Sequence, residues 1–421
     1  VRILVAVNPE RAVFLYLVPM LWALRTAGHD VRVASTPSLS DTITQAGLTA
    51  VPVGRDRGGR AAGRGDADHE ADRAGIPAPY DVFTDFDRAS WDYLLPSMTE
   101  AVRGWHWLTN APLVAGLTEY ARRWEPDLVI WDPFTFAGAV AAKASGAAHA
   151  RMLFGVDVVG PTRDHFLRRW TEQPPAGRAD PFAEWLGGYG RKYGFEFSED
   201  MVTGNFTIDQ FPRSLGVEAN LDYVRTQYIP YGGAAVVPGW LREPPRRPRV
   251  ALTMGLSATE SFNGYTVGLA DLLAALSELD VEVVATVAES EQDKLGTIPD
   301  NTRVVSYVPW HALAPTCSVV IHHGGAATLA TTARHPVPQL ALHYHYDQPF
   351  LAGRLAEQGA GLEIHTSKAT GDTVRDAVTR LLSEPRFTER AVALRDEMFA
   401  LPSPNEAVGL VEELTVKHRV R

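Results

Sequence analysis

The stretch from Val319 to Glu363, VVIHHGGAATLATTARHPVPQLALHYHYDQPFLAGRLAEQGAGLE, limits the fold more than any other part of the chain. An apolar strand enters a His-His-Gly-Gly turn, a helix of small residues follows, and further on Asp347 and Gln348 head another helix. Strand, glycine turn and helix in that order belong to a parallel α/β layer. Gly324 and Gly325 let backbone approach an anion closely, and the free N–H groups and dipole of the following helix attract a diphosphate without a metal.

At 421 residues the chain is too long for one ordinary core, and two domains of about 200 residues each are expected. With 45% hydrophobic and 21% charged residues the composition is that of a globular protein, and a net charge of −10 disfavours a nucleic-acid surface. Cys317 is the single cysteine, which excludes a disulfide framework or a cysteine-rich metal site within one chain. The opening VRILVAVNPER has only a short apolar run, and no later stretch reaches about 18 uninterrupted apolar residues. A cytoplasmic protein without integral membrane association is the expectation.

Along the chain, Ile3–Val7 reads as a buried strand, Leu17–Thr26 as a helix stopped by Gly28, and Val31–Ala34 as a second strand. Further strands are expected at Leu128–Trp131, Arg151–Phe154, Val281–Thr286, Val304–Ser306, Val319–His322 and Gln339–Leu342. Residues 55–75 are rich in glycine and charge and read as a surface loop. Tyr80–Trp124 is helical in character and carries Phe83, Phe86, Trp91, Tyr93, Trp105 and Trp107, which suit either core packing or the wall of an apolar cleft. A Pro-rich stretch before RPRVALTMGLS marks a domain boundary. The expected division is an N-terminal domain 1–230, a linker 231–246, a C-terminal domain 247–402 and a closing helix 403–421, with Val408, Val411 and Leu414 on one face.

These segments resemble the nucleotide-sugar signature of inverting glycosyltransferases with the GT-B fold, and most closely the branch that attaches deoxysugars to polyketide antibiotics in actinobacteria. The likeness extends to LVPMLWALRTAGHDVRVAS (17–35), WEPDLVIWDPFTFAGAVAA (124–142), DPFAEWL (180–186), AVVPGWL (235–241), VPWHALAPTC (308–317) and LPSPNEAVGLVEEL (401–414). It implies two Rossmann-like α/β domains facing across a cleft, with the closing helix crossing back to the first. It further implies a dTDP-deoxysugar donor, a hydrophobic aglycone acceptor, no metal cofactor, and the desosamine and daunosamine transferases' need for a cytochrome-P450-like activator protein. A homodimer belongs to the same set of expectations.

By that resemblance, His322 contacts the donor diphosphate, and Gly325, Ala326, Ala327 and Thr328 complete its cradle with Ser257 on a facing Gly-Ser loop that includes Gly255. Val308 and Trp310 stand where family members hold the base, and Asp347 and Gln348 where they bind the sugar; Asp347 could instead cap the following helix. Plant members carry a ribose-binding glutamate where Ala330 stands, so alanine favours a deoxyribose donor. His343 and His345 form an HxH pair with no third metal ligand nearby. The family's general base is a histidine six residues before the proline of the LVP motif, and here that position is Val13. Glu10 in the same loop and Asp132 at the end of a strand are the acidic substitutes. The alternatives are an acceptor that needs little help, or a catalytically weak homologue that binds nucleotide-sugar or serves as a scaffold.

Overall fold

A computed structural model describes residues 1–56, 74–255, 257–260 and 264–420. Most of the loop expected over residues 55–75 lies outside the described residues. The chain forms two compact units: described residues up to 226 together with 402–420 make the first, and 227–401 with Ala74 and Gly75 make the second.

The first unit is built on a seven-stranded sheet in the order β3-β2-β1-β4-β5-β6-β7. Its strands are β1 (Arg2–Ala6), β2 (Asp30–Ser35), β3 (Thr49–Pro52), β4 (Leu128–Trp131), β5 (Ala148–Met152), β6 (Phe206–Asp209) and β7 (Tyr223–Arg225). Every pairing is parallel. Helices cover both faces of such a sheet, so its central strands read as continuous apolar runs such as the fully buried LVIW of β4.

The second unit repeats the plan with β10-β9-β8-β11-β12-β13, again all parallel. Its strands are β8 (Arg249–Thr253), β9 (Glu282–Thr286), β10 (Thr302–Val305), β11 (Val319–His322), β12 (Gln339–His343) and β13 (Gly361–His365). In both units the strand order reverses beside the first strand, and ligands of doubly wound sheets bind outside the carboxyl ends of the strands at that reversal.

Three local differences from the sequence expectation have physical causes. The first helix runs Arg11–Thr26, so Val13 sits in its opening turn and not in a loop. The strand expected at 151–154 is instead Ala148–Met152, because its two polar residues are buried with partners: Arg151 makes a bidentate pair with Asp157 at 3.0 and 2.7 Å, and His149 lies beside Asp200. Tyr80–Trp124 divides into a 3-10 turn (Tyr80–Val82), a helix (Trp91–Ala101), a π-helical turn (Val102–His106) and a second helix (Trp107–Trp124). Its aromatics divide likewise: Phe83 is buried, whereas Trp107 is 48% exposed.

The closing helix, Pro404–His418, starts with a capping box in which Ser403 and Glu406 satisfy each other's backbone N–H groups. It groups with the first unit and packs on the Arg11–Thr26 helix and β5. Val408 and Val411 face inward as expected, while Thr415 takes the buried place expected of Leu414.

Candidate functional site

In the second unit, β11 ends at His322, whose register partner on β12 is Ala341. The ring is fully buried. Gly324 N–H donates to Nδ1 at 2.9 Å, which fixes the tautomer with hydrogen on Nε2, and Nε2 donates to Gln339 Oε1 at 2.9 Å. Burial lowers its pKa to about 3, so the ring is neutral. The expectation that His322 contacts the diphosphate is therefore corrected: with both nitrogens engaged it is a strut that holds the glycine turn.

His323 takes the open place. Successive side chains along a strand point to opposite sides, so the residue after His322 turns away from the buried face. A Cβ at Gly325 would lie 2.2 Å from His323 Nε2 and one at Gly255 2.5 Å from its Cε1. Both glycines thus make room for this ring, and Gly255 (φ +73°) and Gly324 (φ +84°) also adopt backbone that disfavours any other residue. The ring bonds the backbone of Thr253, and Nε2 is its nitrogen nearest Gly325. Burial first and the neighbouring His345 second lower its pKa to about 4. The sequence motif contains two histidines; strand alternation signals that they point opposite ways but not which of them is buried.

The helix after the turn spans Ala326–Ala333 with Gly325 as N-cap, and no side chain caps it. Its first N–H groups, those of Ala326, Ala327 and Thr328, are orphan donors of a helix start. Ser257 begins a short helix, Ser257–Glu260, and its side chain lies outside the described residues. Ala330 is fully buried, so the methyl group used above to argue for deoxyribose packs in the core. Val308 is buried and Trp310 packs beside it, donating its indole N–H to Thr332 Oγ1 at 3.2 Å.

Gln348 is brought to the same turn, since a Cβ on Gly324 would be 3.2 Å from Gln348 Cβ. Its Oε1 accepts from the N–H groups of Tyr344 (3.2 Å) and His345 (3.0 Å), tying down a loop in which Tyr346 holds a left-handed φ of +49°. A non-glycine residue in that region is uncommon and marks a loop fixed by its surroundings. Asp347 occupies the N-cap position of the Gln348–Gln358 helix without a side-chain capping bond, so the capping alternative is not realised. His343 bonds Glu363 through Nε2 rather than joining His345. Among the described residues no three His, Cys, Asp or Glu side chains gather where they could hold one cation.

In the first unit, Glu10 is the residue before the Arg11–Thr26 helix, just beyond β1; it is solvent-accessible and makes no side-chain capping bond. Surrounding protein mass first, and the negative charge of Asp132 second, raise its pKa above the usual carboxylate value. Asp132, at the end of β4, is 1% exposed. It accepts from Phe134 N–H at 3.0 Å on Oδ1 and from Asn8 N–H at 3.1 Å and the Thr135 hydroxyl on Oδ2. Both oxygens are spent, so Asp132 is corrected from catalytic substitute to a tie between two loops.

Comparison with known proteins places this geometry. The family model described as erythromycin biosynthesis protein CIII-like, N-terminal domain, matches residues 22–255, and the corresponding C-terminal domain model matches 270–414. The 10-deoxymethynolide desosaminyltransferase of Streptomyces venezuelae is 46% identical over 411 residues, covering 96% of this chain and 94% of that protein. The TDP-daunosamine transferase of Streptomyces peucetius is 42% identical over 435 residues, covering 99% and 98%. Among solved structures, the glycosyltransferase VinC in complex with dTDP superposes with a TM-score of 0.88 at 38% identity, covering 99% of this chain and 100% of that one. Spinosyn forosaminyltransferase SpnP gives 0.83 at 38% identity with 99% of each chain covered. Two parallel doubly wound sheets, the glycine turn that seats His323 and these matches over nearly the whole length agree: the chain is a GT-B glycosyltransferase of the erythromycin biosynthesis protein CIII-like family.

Proposed function

We propose that the chain transfers a deoxysugar, of the amino-sugar kind handled by its desosaminyl and daunosamine relatives, from a thymidine diphosphate ester to a hydroxyl of a polyketide-type aglycone. The acceptor oxygen attacks the anomeric carbon from the face opposite the diphosphate, with inversion, and no metal takes part. The observation that carries this reading is the uncapped start of the Ala326–Ala333 helix, with the His323 ring lying against its N-cap residue Gly325. Fixed N–H groups and a helix dipole favour a departing diphosphate most when its charge is greatest, in the transition state. In this reading Gln348, which lies against Gly324, and its neighbour Asp347 hold the sugar, and Val308 and Trp310 hold the base.

Calorimetric titration of the purified protein with dTDP and separately UDP tests the donor half. Binding of dTDP that is tighter than UDP and weakened in His323→Ala supports it; a folded protein that binds neither nucleotide overturns it. Offering 10-deoxymethynolide, tylactone and aklavinone with TDP-desosamine tests the acceptor half, and failure on all three would reject a macrolactone or anthracycline acceptor.

An activator of the cytochrome-P450 type, a homodimer and a cytoplasmic setting complete the proposal. Resemblance supports the first two, and a chain with one cysteine suits a reducing compartment. No helix among the described residues is long and apolar enough to cross a membrane. Coexpression with a P450-like protein is expected to raise turnover, and an enzyme fully active by itself would remove the activator.

A further inference from the structure

Removal of the acceptor proton is the step for which the family's histidine position offers only Val13, which is 8% exposed. The carboxylates at the carboxyl ends of the first sheet's strands differ in what occupies them. Asp132 after β4 holds the Asn8, Phe134 and Thr135 donors described above. Asp157, beyond β5, is 2% exposed and receives Arg151, the Gly160 N–H and the Tyr223 hydroxyl. Asp209 ends β6, is 3% exposed, and is paired with Arg225 and the Phe211 N–H. Glu10 is different: it reaches solvent, and among the described residues its carboxylate has no hydrogen bond or ion pair.

Its backbone is nonetheless fixed. Glu10 N–H donates to Asn8 O at 2.7 Å, Phe14 N–H donates to Glu10 O at 3.0 Å, and Asn8 N–H is held by Asp132 at 3.1 Å. Asn110 extends the tie. Its amide nitrogen donates to the carbonyls of Phe134 and His106, both at 2.9 Å, and its oxygen accepts from Ala137 N–H at 2.9 Å. A short, buried ladder therefore links the π-helical turn at Val102–His106 to the Asp132 loop and then to the loop that presents Glu10. Such turns recur at functional sites.

We propose that Glu10 is the general base of this enzyme and that Asp132 is the positioning residue that holds its loop. This rests on the transferase reading above. In the step, the Glu10 carboxylate takes the acceptor hydroxyl proton as the acceptor oxygen bonds to the anomeric carbon. The bond from that carbon to the diphosphate oxygen breaks, the electron pair leaves on dTDP, and the proton later passes from Glu10 to solvent. Asp132 is the charged group facing Glu10. The protein around Glu10 first, and this neighbouring charge second, raise its pKa above the usual carboxylate value and so make it the stronger base.

The test uses the full chain, with its activator if turnover requires one, and follows dTDP release from TDP-desosamine with whichever of the three aglycones above is accepted. Glu10→Gln is expected to lower kcat by about 10²–10⁴-fold with dTDP affinity unchanged. Val13 lies three residues along, in the first turn of the helix that Glu10 precedes, so E10Q/V13H is expected to recover at least about tenfold of that loss. The acid limb of its pH profile should then lie near about 6.5, where an imidazole titrates. Asp132→Asn removes the facing negative charge and should move the acid limb of the otherwise native enzyme to lower pH, which loss of structure alone would not do. Native kcat in Glu10→Gln overturns the proposal, as does a parallel loss of dTDP affinity, which would assign Glu10 to the donor. A wild-type protein that binds no dTDP would instead sink the transferase reading itself.

Discussion

Adjacent histidines in one motif have opposite occupations, and substitution should separate them. His322→Ala leaves Gln339 Oε1 and the Gly324 N–H without partners in a fully buried site, so it should lower unfolding stability by about 2–4 kcal/mol, read from urea denaturation of the second unit. His323→Ala removes a bond to the Thr253 backbone but none of those that hold the turn; it should cost only about 1 kcal/mol of that stability and weaken dTDP binding by about 10–100-fold. Gly325→Ala offers an intermediate case, because its methyl group would press on His323 Nε2 and displace the ring. It should weaken dTDP binding while the unit stays folded by circular dichroism. The glycines and their turn were legible in the sequence. Which imidazole faces outward was not, because that depends on Gln339 from the next strand and Gly255 from another loop.

Elements were legible wherever apolar period and end signals agreed. The closing helix is such a case, with Ser403, Pro404 and Glu406 spelling its start. Ser403→Ala should cost about 1 kcal/mol of first-unit stability, since that is the usual worth of a serine N-cap, and the same change at exposed Ser383 should cost less. The π-helical turn was not legible: VRGWH fits an ordinary helix, and the extra residue is accommodated because Asn110 takes up the His106 carbonyl and Tyr80 takes up the ring at 2.6 Å. Asn110→Ala therefore deserts two carbonyls and one N–H, and should destabilise the first unit by about 2–4 kcal/mol. The polar strand β5 was misplaced for a related reason, as its charges are buried by partners such as Asp157 and Asp200 that the strand itself does not contain.

Across the whole molecule, buried neutral histidines set the acid limit. His106 in the first unit and His322 in the second are fully buried, and burial lowers each pKa to about 3. An unfolded histidine titrates near about 6.5, so below that pH the unfolded chain binds protons that the folded chain refuses. The stabilisation is present above about pH 6.5 and is lost as pH falls toward the folded values, at up to about 1.4 kcal/mol per pH unit for each of these two histidines. Urea midpoints measured from pH 7 to 5 should fall accordingly, and His106→Gln should flatten the first unit's dependence by about one proton. What the sequence by itself determined was the local chemistry: parallel α/β layers from short apolar strands, a glycine turn before an uncapped helix, and a last helix with its cap. Those features depend on neighbours a few residues apart. Tertiary structure alone decided which histidine is a strut, and which carboxylates are spent and which is left open. Each of those outcomes is a competition for hydrogen bonds between distant segments, as when Asp132 reaches the Asn8 N–H across 124 residues of chain.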